Sequence, residues 1–144
     1  MNPADRENVA VSYRNAFFIE LPQSIPEPQW DLVSNEAIVD WMKNRVLFDA
    51  QGFVRKYSRT TGLIPQGIRV AEQKSFWGTC GKDNVIRINW RLAYLPKKVL
   101  EYVVAHEIVH LKYRNHSDAF WNLLWSVFNE VDTCQRVFEG KRGL

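Results

Sequence analysis

All three histidines of this 144-residue chain, His106, His110 and His116, fall within one stretch of eleven residues. The first two belong to the run Ala105-His106-Glu107-Ile108-Val109-His110 and stand four positions apart. On an α-helix this spacing puts both imidazoles on one face, about 6 Å apart along the axis, where they can share a metal ion. Glu107 is rotated by about 100° from the first histidine, so its carboxylate flanks the metal without having to ligate it. A zinc ion held by three protein groups keeps a fourth position for water and lowers that water's pKa to about 7. Glu107 is then the candidate general base. His116 is the candidate third ligand, provided the helix ends near Tyr113 and the chain turns back. Asn115 suits such a turn because Asn tolerates left-handed backbone geometry. A structural zinc usually closes its sphere with four ligands and uses cysteine heavily. No fourth candidate stands nearby, which favours a hydrolytic site with one Zn2+ per chain.

Regular elements must hold these groups. Residues 9–21 alternate in part (Val9, Val11, Tyr13, Phe17, Ile19, Leu21), which predicts a strand or extended arm, and Pro22, Pro26 and Pro28 then predict a loop. From Ser34, a plausible N-cap, the residues Ile38, Met42, Val46, Ala50, Phe53/Val54 and Tyr57 recur every three or four positions and define a helix face. Gly52 could split this helix, and Thr61-Gly62 closes it. Ile68-Arg69-Val70, Lys74 to Cys80 and Val85 to Ile88 read as short strands, the last two joined by the turn-prone Gly81-Lys82-Asp83-Asn84. Pro96 opens a helix running to about Tyr113. Ser117 caps a last helix with Phe120, Leu124, Val127/Phe128 and Val131 on one face. The expected class is α+β, with helices on a small antiparallel sheet. Residues 1–33 form an arm and Pro-rich loop of the same domain, and 34–144 its core.

Bulk properties narrow the function classes. The length suits one domain, and 46% hydrophobic content with six Trp and eight Phe can fill its core. Cys80 and Cys134 are the only cysteines and lie far apart, so neither a disulfide framework nor a Cys-rich metal site is expected. No run approaches the roughly 20 apolar residues of a membrane span, and the first residues do not read as a signal peptide, so the expected compartment is the cytoplasm. A net charge of +3, spread over scattered Lys and Arg, permits nucleic-acid binding without indicating it.

Four stretches stand in order along the chain: Trp77-Gly78-Thr79-Cys80, Ile88-Asn89-Trp90-Arg91-Leu92, Tyr102 to Leu111, and Asn115-His116-Ser117 with Phe120-Trp121. Together they resemble the signature of the YgjP-like metallopeptidase family and, more distantly, the SprT-like zincins. The resemblance implies a zincin-like fold, with His106, His110 and His116 as metal ligands and Glu107 as base. Phe76 and Thr79 depart from the family pattern, where a basic residue and Ser are usual. The ligand spacing also fits metzincins, but Tyr113 replaces the Gly of that pattern.

Substrate contacts are expected from three residues. Trp77 and Gly78 lie on the first strand of the hairpin, where Gly permits close backbone approach, although an aromatic in a strand more often serves the core. Tyr113, like Tyr102, could donate a hydrogen bond to a developing oxyanion. The leading expectation is hydrolysis of a peptide or protein by a Glu-activated water. The alternatives are a metal-dependent hydrolase of a nucleotide phosphoanhydride, and a DNA- or partner-binding protein with a structural zinc.

Overall fold

The computed structural model describes residues 10–13, 17–20 and 30–138. The chain forms two compact units, Met1–Asn44 and Arg45–Leu144. In the first, β1 (Ala10–Tyr13) and β2 (Phe17–Glu20) pair antiparallel, with Val11 opposite Ile19. The described part of the 9–21 alternation is therefore two paired strands rather than a single one. The loop expected at Pro22, Pro26 and Pro28 lies outside the described residues.

Helix α1 (Trp30–Thr61) is continuous over 32 residues. It starts upstream of Ser34, which is an interior residue and not the N-cap, because no helix breaker separates Pro28 from Ser34. Gly52 does not split the helix. Glycine costs a helix only about 1 kcal/mol, and the burial of Ala50 and Tyr57, with Phe53 and Val54 packed against the same core, outweighs that. The helix stops where expected: Gly62 takes φ +75°, and its N–H bonds the Ser58 carbonyl at 2.8 Å.

The sheet of the second unit contains β3 (Gly67–Ala71), β4 (Gly78–Cys80) and β5 (Val85–Asn89), in the order β3-β5-β4. β4 and β5 form the expected antiparallel hairpin, but β3 runs parallel to β5, so the sheet is mixed and not antiparallel. Asn89 shows the physical reason. Residues 72–77 arch from β3 past the end of β5 to reach β4. The buried Asn89 amide donates to the carbonyls of Gln73 (2.9 Å) and Phe76 (3.0 Å) within this arch. Its oxygen accepts from the Arg91 N–H at 2.9 Å and caps a 3-10 turn, Trp90–Tyr94. The extended run expected from Lys74 is thus mostly arch, and only its last three residues are strand.

Helix α2 (Lys97–His110) is the centre of the unit, and every residue from Val99 to Val109 is buried. A helix apolar on nearly all sides belongs inside a core. Ile86 and Ile88 of β5 share that core with Val103, Val104 and Ile108. Its buried Glu101 accepts from Lys56 Nζ at 2.8 Å and from the Tyr57 hydroxyl, with Lys98 Nζ 3.5 Å away. Burial alone would push the Glu101 carboxyl up, but these partners outweigh it and hold it below its usual value.

The last helix of the sequence reading is two helices, α3 (Asp118–Val127) and α4 (Val131–Val137). The break falls at Phe128, which is extended at φ −139°. Asn129 favours such a break, and the Phe128 ring stays in the core 5.6 Å from that of Tyr102.

Candidate metal centre

α2 ends at His110, and the chain tightens through bonds from the Leu111 N–H to the Ile108 carbonyl and from the Lys112 N–H to the Val109 carbonyl, each three residues back. It then turns back into α3, whose N-cap is Ser117 as expected; the Ser117 hydroxyl accepts from the Phe120 N–H at 3.3 Å. No left-handed residue makes this reversal. Asn115 is not among the residues of positive φ, and the non-glycine residue that takes such a φ among the described residues is Asn84, at +60° in the β4–β5 turn.

The reversal brings all three histidines together. His116 Nε2 lies 3.1 Å from His106 Nε2 and 3.2 Å from His110 Nε2. Each ring has an identifiable support. His110 Nδ1 is 2.9 Å from the Tyr113 carbonyl, which can only accept, so Nδ1 carries the proton and Nε2 presents a lone pair. His106 Nδ1 is 2.9 Å from Glu107 Oε2 and, as donor to that carboxylate, likewise leaves Nε2 a lone pair. His116 stacks on the Trp121 indole, with centroids 5.6 Å apart and planes 23° apart. Phe120 forms a common floor, its ring 5.0, 4.5 and 4.9 Å from those of His106, His110 and His116.

These groups fit a metal. Two nitrogens bound to one tetrahedral zinc at about 2.05 Å lie about 3.3 Å apart, close to the observed separations. Lone pairs facing one another at this range repel unless a proton or a cation lies between them. Burial holds His110 and His116 below the ordinary histidine pKa, so both are neutral near pH 7 and ready to ligate. Among the described residues, the three histidines are the group of side chains placed to share a metal ion. A carboxylate can also serve as the third ligand of a catalytic zinc, but Glu130 on the last stretch of the chain is exposed at the N-cap position of α4 and outside this group.

Gly78 packs where the sheet meets α2. A Cβ there would come within 2.6 Å of Val103 Cγ1 and 3.4 Å of Glu107 Oε2. Gly78→Ala is therefore expected to lose about 1–3 kcal/mol of stability by overpacking against a helix with no room to retreat. Chemical denaturation checks this, and an unchanged midpoint would reject the packing argument.

β4 is also an edge strand. The Asn89 N–H bonds the Trp77 carbonyl, and the Gly81 N–H bonds the Val85 carbonyl. Alternate residues of an antiparallel strand direct both polar groups to the same neighbour. Trp77, Thr79 and Gly81 thus face β5, whereas Gly78 and Cys80 turn their N–H and C=O outward, where no further strand lies among the described residues.

The other expected contacts are placed differently. The Trp77 ring packs 5.4 Å from that of Phe138. Tyr113 gives its carbonyl to His110, and its half-buried ring has Lys112 Nζ 5.3 Å from the centroid. Tyr102 is fully buried, and burial pushes its phenol pKa up. Cys80 and Cys134 are free thiols. Two supports of the histidine rings went unread as site residues, Phe120 and Trp121. The apolar spacing of α3 marks both only as packing residues.

Residues 20–141 match the family described as YgjP-like, metallopeptidase domain. The chain belongs to the YgjP-like metallopeptidase family. No curated protein matches its sequence at a significant level. Among solved structures, this YgjP-like chain is similar in fold to the metallopeptidase zymogen of Pyrococcus abyssi abylysin. The TM-score is 0.58 at 18% identity, over 66% of this chain and 99% of that one. No helix among the described residues is long and apolar enough to cross a membrane.

Proposed function

We propose that this YgjP-like chain is a zinc-dependent peptidase in which His106, His110 and His116 hold one zinc ion and Glu107 is the general base. The observation that carries this reading is the convergence of the three Nε2 atoms beside a buried carboxylate. Zinc held there would supply Lewis acidity, lowering a water's pKa to about 7 and polarising the scissile carbonyl. Glu107 uses Oε2 to orient His106. Its other oxygen takes the proton of the attacking water and returns it to the departing amine. An extended peptide pairs with the outward N–H and C=O of Gly78 and Cys80 by strand addition. Gly78 is the substrate contact best supported by position, while Trp77 and Tyr113 serve mainly the core and His110.

A nucleotide phosphoanhydride fits less well. Its hydrolysis favours a second cation or a phosphate cradle, and the histidines are the one candidate metal cluster among the described residues. Zinc-loaded protein should carry about one zinc per chain and cleave members of a mixed peptide library while leaving a nucleotide panel intact. Nucleotide cleavage alone would transfer the site to the other chemistry. Inertness towards both panels, with zinc still bound, would indicate a binding module.

A further inference from the structure

His116 lies off the central helix, so its position depends on what holds the loop between α2 and α3. One end of that loop is fixed by the Tyr113 carbonyl on His110, the other by the Ser117 cap. Between them, Arg114 reaches across to a segment 30 to 34 residues earlier in the chain. Its Nη1 donates to the Gly81 carbonyl at 3.0 Å and lies 3.5 Å from Cys80 Sγ, and its Nη2 donates to Asn84 Oδ1. Three acceptors on one turn use the fork of the guanidinium, which a lysine could not reproduce.

The turn that receives Arg114 is itself well fixed. Asn84 holds its left-handed φ of 60°, with its N–H on the Gly81 carbonyl at 2.9 Å. Asp83 Oδ1 accepts from the Val85 N–H at 3.1 Å, and Asp83 Oδ2 pairs with Arg87 at 3.0 Å. Arg114 therefore ties a loop with no regular backbone pairing to a rigid point on the sheet, two residues before His116.

We propose that Arg114 is a positioning residue of the metal site, its guanidinium fastening the His116 loop to the β4–β5 turn so that the third ligand stays in place. The proposal rests on His116 being a ligand. It also links the metal site to β4, since Gly81 follows the strand whose free edge faces the substrate.

Zinc affinity of the full chain, measured by competition with a chromophoric chelator, tests this. Arg114→Ala should weaken zinc binding about tenfold, the lower end of the effect of losing an outer-shell partner. In a His116→Ala background the same substitution should change affinity less than twofold, because the ligand it positions is gone. Arg87→Ala loosens the same turn from Asp83 without touching the loop and should also stay within twofold. Wild-type affinity in Arg114→Ala, an undiminished tenfold loss in the His116→Ala background, or an equal loss in Arg87→Ala would each overturn the proposal. If His116→Ala itself binds zinc normally, the ligand assignment fails first. Should Arg114→Ala not fold, Asn84→Gly keeps the positive φ while removing one acceptor. It must weaken zinc binding in the same direction, and unchanged affinity would count against Arg114.

Discussion

Glu107→Gln is expected to lower peptide hydrolysis by about 10²- to 10⁴-fold, the usual range for a lost general base, while zinc content stays near one per chain. The separation of these two outcomes follows from the place of the side chain. Glu107 is buried on α2 between His106 Nδ1 and Gly78. A glutamine has the same shape, and its carbonyl oxygen can still accept the His106 Nδ1 proton, so the first ligand keeps its tautomer and orientation. What the amide cannot do is take a proton from water. Single-turnover cleavage of a susceptible peptide, with metal analysis of the same samples, reads both quantities. Equal activity in mutant and wild type would dismiss Glu107 as base. Loss of zinc together with activity would assign it instead to holding His106.

The parts of this site that were legible in the sequence are those set by local helical geometry. His106, Glu107 and His110 sit on little more than one turn of a helix, so their mutual placement needs only the 3.6-residue period and the apolar residues that bury the rest of α2. The Ser117 cap is equally local. Features made by distant segments were not legible. β3 is parallel to β5 because an arch held by Asn89 carries the chain past β5, and no alternation within a strand encodes what its connection does. Gly78 could be read as permissive, but not as the neighbour of Val103 and Glu107, 25 and 29 positions away. Arg114 finds a backbone carbonyl, a thiol and an amide on a turn that precedes it by at least 30 positions. A composition count treats it like any exposed arginine. The break at Phe128 was hidden for the opposite reason, because the apolar spacing continues across it and Phe128 is buried on either reading.

His116→Ala is expected to weaken zinc binding by more than about a hundredfold, beyond the ten- to hundredfold loss typical of an outer-shell change. Two ligands would remain, both on one helix face, with the position opposite them open to solvent. Thermal or chemical stability provides an independent readout, because zinc that binds only the folded state stabilises it by mass action. With free zinc a hundredfold above the wild-type Kd, the bound metal adds about 2.7 kcal/mol; a hundredfold weaker site gains only RT ln 2, about 0.4 kcal/mol, from the same zinc. The metal-free stabilities of the two proteins should differ little, since His116 is exposed and its main contact is the stack on Trp121. The competing assignment makes the opposite prediction. If Glu130 closed the coordination sphere, Glu130→Ala would lose zinc and His116→Ala would keep it. Glu130 stands outside the histidine group, at the N-cap position of a different helix, whereas His116 Nε2 lies 3.1 and 3.2 Å from the other two ring nitrogens. Wild-type zinc stabilisation in His116→Ala would refute the three-histidine site, because no other placement of these rings supplies a third nitrogen.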